Sequence, residues 1–204
     1  MSAMTAVIVM AKAPIPGFAK TRLIPALGAD RAAALAERLL HAAVAQAVTA
    51  ALGPVDLCCA PDRVHPAFER YAGTTGVELS DQGDGDLGAR MARAFERWLA
   101  NGRCAVMIGT DAPALDAAML ARAAHGLSDA DAVFVPAFDG GYALIGLRRH
   151  APSLFDDMRW STSTVMARTR QRLAAAGLTH IELPAVADID EAADLVHLPP
   201  GWLT

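Results

Sequence analysis

The sequence predicts an α/β fold in which a mostly parallel, mixed sheet lies between two layers of helices. Short apolar runs alternate with segments of helical periodicity along the chain, a pattern typical of strands joined by helical crossovers. Hydrophobic residues make up 53% of the 204 positions, enough for one sizeable core. No repeat, low-complexity tract or linker interrupts the alternation. We therefore expect one domain over residues 1–204, a three-layer α/β/α sandwich.

The strands are predicted from apolar runs that end at polar or turn residues. The expected ranges are 5–10, 55–60, 77–80, 104–109, 132–137, 142–147 and 180–183. The first run has no basic residues before it, so it is interpreted as a strand rather than a signal peptide. No apolar run approaches the roughly 20 residues of a membrane-spanning helix.

The helices are predicted from apolar residues at helical spacing behind a residue that can cap the N-terminus. Asp30, Asp86 and Asp116 are the candidate N-caps of the first three helices. A fourth helix opens at Ser161 or Thr162. The expected extents are from residue 30 to the Gly53-Pro54 stop, 86–99, 116–126, 161–177, and a short terminal helix that starts near 190.

Charge and cysteine content narrow the class of protein. The net charge of −4 argues against general binding to nucleic acid or anionic membranes, which needs a broad basic surface. Cys58, Cys59 and Cys104 all lie in apolar runs, and adjacent residues on a strand point to opposite faces. They are interpreted as small core residues of a protein in a reducing compartment, which predicts a cytoplasmic location.

A basic loop over residues 11–23 follows the first strand. It holds three cations and no acidic residue, and Gly17 and two prolines open and stiffen the chain. An unpaired cationic loop at the carboxyl end of a first strand is where an open α/β sheet holds phosphates, although a solvated basic loop has the same composition. The Thr21 hydroxyl either assists or satisfies the loop backbone. The candidate phosphate ligands are Lys12, Lys20 and Arg22.

Carboxylates at two strand ends are candidates for a metal site. Asp111 ends an apolar strand before Pro113, and Mg²⁺ or Mn²⁺ takes such oxygen ligands, often only one or two from the protein. The alternative is that Asp111 caps the next turn, a role for which Asp116 is better placed. Asp188 and Asp190 follow the last strand and could supply a second carboxylate, unless Asp190 is only the N-cap of the terminal helix.

Two glycine-containing turns are candidates for nucleotide or substrate binding. The turn 83–88 enters a helix and exposes backbone N–H groups that could hold a nucleobase or ribose. Its alternative is an ordinary helix N-terminus capped by Asp86. The segment 139–142 reads as a hairpin turn whose glycines would also let a ligand approach the backbone. Residues 160–164 either line the site or open a helix.

The sequence lacks the motifs of several other classes of enzyme. The six histidines show no zinc-site spacing, and no Gly-x-Ser-x-Gly elbow is present. No Gly-x-Gly-x-x-Gly follows the first strand, which argues against a nicotinamide-dependent enzyme. The basic loop lacks the Gly-Lys-Ser/Thr ending of a Walker A loop.

Six segments, in order over nearly the whole chain, resemble a bacterial glycosyltransferase-like family. That family is similar to 2-phospho-L-lactate guanylyltransferase and lies in the GT-A, or nucleotide-diphospho-sugar transferase, superfamily. The segments are 11–23, 85–91, 108–113, 139–147, 160–162 and 188–190. In one departure, Asp111 lies in Thr-Asp-Ala rather than in a full Asp-x-Asp, which suits a nucleotidyltransferase better than a metal-dependent glycosyltransferase.

The resemblance implies a Rossmann-like sheet with one nucleotide site, in which the basic loop binds the phosphates. The residues implied to border the base are Gly85, Asp86 and Gly88. Those implied to hold the acceptor or sugar are Asp139, Gly140, Gly141 and Tyr142. Those implied to bind the metal are Asp111 and Asp190, with Asp188 as the alternative to Asp190.

The leading functional hypothesis is Mg²⁺-dependent nucleotidyl transfer. An acceptor phosphate or carboxylate would attack the α-phosphorus of a nucleoside triphosphate and release pyrophosphate. Lys20 and Arg22 would offset charge in the transition state, and Asp111 would carry the metal. The alternatives are glycosyl transfer from a nucleotide sugar, with Asp139 as base, and a non-catalytic nucleotide-binding module. The nucleobase, the acceptor and the oligomeric state, a homodimer included, stay open.

Overall fold

In the computed structural model, which describes residues 4–100 and 102–203, a seven-stranded sheet forms the centre of the molecule. The strands are β1 Thr5–Lys12, β2 Val55–Ala60, β3 Val77–Asp81, β4 Cys104–Ile108, β5 Ala132–Pro136, β6 Tyr142–Leu147 and β7 His180–Glu182. Their order across the sheet is β3-β2-β1-β4-β6-β5-β7. Strand β6 is antiparallel to both neighbours, and the other pairs are parallel. The predicted mixed, mostly parallel sheet is confirmed.

Helices cover both faces of the sheet, as predicted. The α-helices are α1 Ile24–Leu27, α2 Ala29–Thr49, α3 Pro66–Glu69, α4 Leu87–Leu99, α5 Ala117–Gly126 and α6 Val165–Ala175. Short 3₁₀ helices span Thr21–Leu23, Pro152–Leu154 and Ala192–His197. Helices α2 and α5 pack on one face of the sheet, and α4 and α6 pack on the other. Among the described residues, no helix has both the length and the apolar character that crossing a membrane requires.

The alternation of strand side chains divides the core into two layers. In the central strand β1, Val7 faces the α2–α5 layer and Ile8 faces the α4–α6 layer, because successive side chains point to opposite faces. The neighbours Cys58 and Cys59 of β2 are likewise buried in different layers. Cys104 is half-buried, and all three cysteines are free thiols. This placement confirms the prediction that the cysteines are core residues rather than a disulfide framework.

Two of the predicted helix caps are confirmed. The Asp86 carboxylate accepts a hydrogen bond from the backbone N–H of Ala89 at 2.8 Å, at the start of α4. The Asp116 carboxylate accepts one from Met119 at 2.7 Å, at the start of α5. Both satisfy backbone donors that have no partner inside the helix.

The start of α2 differs from the prediction. The helix begins at Ala29, and Gly28 occupies the N-cap position with φ 79° and ψ 161°. The predicted cap, Asp30, lies inside the first turn, where its negative charge still favours the helix dipole. The short helix α1 ends immediately before Gly28, so the chain enters α2 through a glycine bend that apolar spacing does not reveal.

The start of α6 also differs. Ser161 has φ 58°, outside the helical region, and the helix begins only at Val165. The predicted start at Ser161 or Thr162 is therefore wrong. The segment before α6 is a turn, because a left-handed residue cannot continue a right-handed helix.

The terminal helix is a 3₁₀ helix, and Asp190 does not cap it. Glu191 is the N-cap, and the Asp194 carboxylate accepts hydrogen bonds from the backbone N–H groups of Asp190 and Glu191. This reciprocal capping box leaves the Asp190 side chain available for another partner.

A third apolar cluster fixes the C-terminal segment to the body of the protein. Leu23, Leu35 and Leu39 enclose the fully buried Ile189. The backbone N–H of Ile189 donates to the carbonyl oxygen of Asp111 at 2.8 Å. This packing carries the chain after β7 to the carboxyl end of β4.

Candidate active site at the carboxyl ends of the strands

A cavity of about 740 Å³ lies at the carboxyl ends of β1 and β4, between the basic loop, the start of α4, the β5–β6 turn and the C-terminal segment. Parallel strands place their carboxyl ends at the same edge of the sheet, so segments far apart in sequence meet there. The predicted site residues that line the cavity are Lys12, Lys20, Thr21, Arg22, Gly85, Asp86, Asp111, Asp139, Gly141, Tyr142, Asp188 and Asp190.

Lys20 is the most enclosed cation of the site. Its ammonium nitrogen lies 2.5 Å from Asp111 Oδ1 and 3.0 Å from Asp190 Oδ1, and it donates to the carbonyl oxygen of Ile189 at 2.5 Å. The Lys20 side chain is 6% exposed, whereas those of Asp111 and Asp190 are 46% and 40% exposed. Burial alone would lower the pKa of Lys20, but the two carboxylates outweigh it and raise the pKa.

The backbone at Lys20 explains how the side chain reaches this position. Lys20 has φ 50° and ψ 43°, in the left-handed region that non-glycine residues rarely adopt. Ala19 and Leu23 are buried on either side of it, which anchors the loop to the protein. A strained backbone conformation beside a cavity is typical of functional sites, where the surrounding packing holds the residue in place.

The prediction of an unpaired cationic loop is therefore only partly correct. Lys20 is paired with Asp111 and Asp190, and Arg22 Nη1 lies 3.8 Å from Glu191 Oε1. The acidic partners come from the loop after β4 and from the C-terminal segment, so the sequence around the basic loop contains none of them. Among the described residues Lys12 has no ion-pair partner, and its side chain is exposed.

Of the two late aspartates, it is Asp190 that shares the Lys20 ammonium with Asp111. Asp188 also lines the cavity but lies among other carboxylates. Burial raises the pKa of Asp188 to about 6, and the negative charges of Asp139 and Asp190 add to the shift. In this cavity, Asp111 and Asp190 are thus paired with a lysine, whereas Asp188 is repelled by the carboxylates near it.

The carboxylates of Asp111 and Asp190 fit a divalent metal ion. They already converge on one cation, the Lys20 ammonium, and both are partly exposed. Mg²⁺ binds proteins through one or two carboxylates and completes its shell with water and phosphate oxygens. Among the described residues, no cluster of three or more His, Cys, Asp or Glu side chains is placed to hold a metal. Such a site would therefore take its remaining ligands from water or from a bound phosphate.

The turn before α4 has the predicted helix cap and also forms part of the cavity wall. Asp86 caps the helix and also lines the cavity, as does Gly85, whose φ is 97°. Gly88 does not line it: a β-carbon there would lie 2.6 Å from the carbonyl oxygen of Phe155 and 3.1 Å from the Trp160 ring. Gly88 is therefore required for close packing of α4, and the structure does not support its predicted contact with a base.

The β5–β6 connection is the predicted hairpin turn, with the Gly141 N–H donating to Asp139 Oδ1 at 2.7 Å. Gly140 has φ 91°, and a β-carbon on it would overlap the backbone of Ser163. Gly140 thus allows the close approach of the turn before α6 and does not line the cavity. Gly17, with φ 84°, shapes the basic loop from outside the cavity lining.

Two aromatic side chains of the cavity wall carry polar atoms without a hydrogen-bond partner among the described residues. These are Tyr142 Oη and Trp160 Nε1, both buried. The Tyr142 ring packs edge-on against Phe134 at 5.5 Å between centroids, and burial raises the pKa of its hydroxyl. Trp160 lines the cavity together with Ser161 and Thr162, so residues 160–162 belong to the site rather than to α6.

The sequence interpretation missed two polar residues of the cavity. Arg90 lines it, and its Nε donates to the Gly85 carbonyl at 3.0 Å. Gln82 is buried and donates to the carbonyl oxygens of Ala11 and Cys58, both at 3.0 Å. Arg90 lies inside the 85–91 segment and could have been added on that ground. Gln82 belongs to none of the motifs identified above. Only its position directly after β3 in the structure shows that it lines the cavity.

Residues 42–162 match the protein family described as "uncharacterized protein conserved in bacteria (DUF2064)". The matched residues are more than half of the sequence. The chain belongs to this family. No curated protein matches the chain.

Solved structures agree with the fold. The chain is 30% identical to a candidate nucleotide-diphospho-sugar transferase from Desulfovibrio desulfuricans G20, with a TM-score of 0.85 over 95% of this chain and 85% of that one. A nucleotidyl transferase from Methanothermobacter thermautotrophicus is 15% identical, with a TM-score of 0.63 over 98% of each chain. Rv0371c from Mycobacterium tuberculosis H37Rv, solved as a manganese complex, is 15% identical with a TM-score of 0.55, over 95% of this chain and 97% of that one. The predicted nucleotide-diphospho-sugar transferase fold is confirmed.

Proposed function

We propose that this family member is a transferase that moves a nucleotidyl group from a nucleoside triphosphate to a small acceptor bearing a phosphate or carboxylate. The observation that carries the proposal is the convergence of three basic-loop side chains with the carboxylates of Asp111 and Asp190 in one cavity. Four cations line this cavity once Arg90 is included, which suits a triphosphate better than a diphosphate. Proteins of the same fold include the nucleotidyl transferase from Methanothermobacter thermautotrophicus.

The side chains have separate tasks in this reaction. Lys12 and Arg22 bind phosphate oxygens from the open side of the cavity, with Arg22 able to use two N–H groups at once. The acceptor oxygen forms a bond to the α-phosphorus while the bond to the β-phosphate oxygen breaks, so pyrophosphate carries the charge away. The cations stabilise that charge as it moves towards the leaving group. An acceptor that is already ionised needs no general base.

Asp111 and Asp190 would hold a divalent metal ion in this reaction. Such an ion neutralises phosphate oxygens and aligns the attacking and leaving oxygens. The manganese complex of Rv0371c, which has the same fold, is consistent with a metal at this site. Asp188 stands apart from the pair and adds negative charge next to Asp139.

A second candidate is glycosyl transfer from a nucleotide sugar. The observation that favours it is the 30% identity to the protein from Desulfovibrio desulfuricans G20. An acceptor hydroxyl would then need a base, and Asp139, exposed at the turn beside the cavity, is the candidate. The two reactions differ in product: pyrophosphate in the first, a nucleoside diphosphate in the second.

The test has two stages. Thermal unfolding with each of four nucleoside triphosphates and with common nucleotide sugars, with and without MgCl₂, identifies the donor. The stabilising donor is then incubated with a pool of phosphate- and carboxylate-bearing acceptors, and the released product is identified. Pyrophosphate supports nucleotidyl transfer, a nucleoside diphosphate supports glycosyl transfer, and stabilisation without turnover supports a binding module.

Asp111→Asn is the informative variant for the site. It should lose the Mg²⁺-dependent part of the nucleotide stabilisation while it keeps the far-UV spectrum of the folded protein. Asp129→Asn is the matched control, because Asp129 is an exposed aspartate outside the cavity lining. Equal Mg²⁺-dependent stabilisation in the two variants would contradict the assignment of Asp111.

A further inference from the structure

The use of lysine in this chain is unusually selective. The sequence contains two lysines, Lys12 and Lys20, and sixteen arginines. Both lysines line the one cavity described above. A lysine differs from an arginine in carrying a compact point charge on a flexible stem that can occupy a small cation site and leave it again. The basic loop is thus the place where the chain uses a small, movable cation.

In the structure Lys20 has no capacity left for a phosphate. An ammonium group has three N–H donors, and Lys20 directs them at oxygens of Asp111, Asp190 and Ile189. The side chain is 6% exposed. Lys20 can therefore bind a phosphate oxygen only after it gives up at least one carboxylate.

The same carboxylate oxygens are the candidate ligands of the divalent ion. Mg²⁺ or Mn²⁺ would bind them at roughly 2.0–2.2 Å, inside the space that the Lys20 ammonium fills. Two cations cannot share that space, since like charges at contact distance repel strongly in a partly enclosed site. Lys20 and a divalent ion are thus alternative occupants of one position.

We propose that Lys20 is a built-in competitor for the divalent cation: it occupies the Asp111–Asp190 pair until a divalent ion displaces it, and nucleotide phosphates favour this exchange by drawing the lysine away. This inference rests on the proposed function for the identity of the phosphate ligand. Lys20 then moves from carboxylates to phosphate, and the vacated carboxylates accept the metal. Nucleotide and metal binding are thereby coupled, and each raises the affinity for the other by the same factor.

The first experiment uses Mn²⁺ alone, without nucleotide, on the wild-type chain. Lysine acetylation by a water-soluble reagent is followed by peptide mass spectrometry, with the exposed Lys12 as internal reference. Without metal, Lys20 should react far more slowly than Lys12. At about 10 mM Mn²⁺, above the dissociation constants of weak protein sites, its rate should rise about tenfold relative to Lys12. A Lys20 rate that Mn²⁺ leaves unchanged overturns the proposal.

The second experiment measures Mn²⁺ affinity by electron paramagnetic resonance, again without nucleotide. Lys20→Met should bind Mn²⁺ at least about tenfold more tightly than wild type, because the competing cation is gone. Lys12→Met is the matched control: it removes the same charge from the same cavity without touching the carboxylates. We expect that control to change Mn²⁺ affinity by less than about threefold.

Two results of this titration would overturn the proposal. Equal or weaker binding in Lys20→Met shows that lysine does not compete. Equal tightening in both variants shows a general charge effect. If Lys20→Met does not fold, the wild-type labelling decides alone. Neither experiment contains nucleotide, so the two proposals can fail separately. If both experiments give the expected results but the protein binds no nucleotide, only the proposed function is refuted. If the protein turns over nucleotide but both experiments fail, only this inference is refuted.

Discussion

Replacing Asp190 by asparagine tests the ion pair that joins the C-terminal segment to the basic loop. The Lys20 Nζ to Asp190 Oδ1 distance is 3.0 Å. At that distance two unit charges attract by about 1.4 kcal/mol in water and by about 5.5 kcal/mol at an effective dielectric constant of about 20. Lys20 is only 6% exposed, but the Asp190 side chain is 40% exposed, so solvent screens the pair and its energy lies between these limits, nearer the aqueous one. Asparagine also keeps the side-chain volume and a hydrogen-bond acceptor.

We therefore expect Asp190→Asn to lower the free energy of unfolding by about 1–2 kcal/mol, because Lys20 keeps Asp111 and surface exposure screens the lost pair. For a protein of this size that corresponds to a melting temperature lower by about 2–8 °C. Urea unfolding followed by circular dichroism gives the midpoint, and an unchanged slope with denaturant shows that the folded state is still compact.

Asp188→Asn is the matched control for this measurement. It removes the same charge two residues away, from a side chain that faces other carboxylates rather than Lys20. It should leave stability unchanged or raise it. A loss in Asp188→Asn as large as in Asp190→Asn, or no loss in Asp190→Asn beyond about 0.5 kcal/mol, would refute the assignment of the Lys20 partner.

Three further predictions address residues outside the Lys20 cluster. Gly140→Ala should destabilise the protein by more than about 2 kcal/mol, because Gly140 has a φ of 91° and a β-carbon there would overlap the Ser163 backbone. Gly17→Ala is the control: Gly17 has a φ of 84° but open space around it, so the change should cost only about 1–2 kcal/mol. Urea unfolding of both variants measures the difference in the free energy of unfolding. Asp86→Ala should cost about 1 kcal/mol through loss of the α4 cap, read from the same unfolding curves; a neutral result would contradict the capping role. Hydrogen bonds from Arg148 and Thr179 lower the pKa of Asp131 to about 2, below its ordinary 3.8, so this carboxylate stabilises the fold above pH 4 and its contribution is lost as the pH falls towards 2. Asp131→Asn should therefore reduce the fall in the free energy of unfolding between pH 4 and pH 2. An acid profile that the variant leaves unchanged would exclude this stabilising role of Asp131.

Local signals in the sequence predicted most of the fold. Apolar runs located all seven strands to within about two residues. The signal is strongest for β1, β2, β4, β5 and β6, which are largely buried on both faces and almost continuously apolar, whereas β3 and β7 at the sheet edges are only partly buried. Asp86 and Asp116 were identified as caps because a cap bonds to a backbone group only three residues away. The opposite burial of Cys58 and Cys59 follows from strand geometry alone.

Predictions failed where the deciding contact is distant in sequence. The pairing of Lys20 with Asp190 joins residues 170 positions apart, and no pattern around either residue announces it. Gly88 and Gly140 were assigned to ligand binding, yet the groups that require glycine there are the backbones of Phe155 and Ser163. In each case the type of residue was informative, but only tertiary packing shows which neighbour it serves.

Because Ile189 packs against α2 only after the last strand, the sheet can be complete before the candidate site is. All seven strands precede residue 183, so a chain synthesised that far holds every strand of the sheet. The second carboxylate of the pair arrives only afterwards, when Ile189 enters its apolar cluster and Asp190 meets Lys20. A chain that stopped short of this segment would hold all seven strands but would lack the second carboxylate of the pair. Completion of the Asp111–Asp190 pair therefore depends on a segment that joins the protein through its own apolar cluster, after the last strand of the sheet.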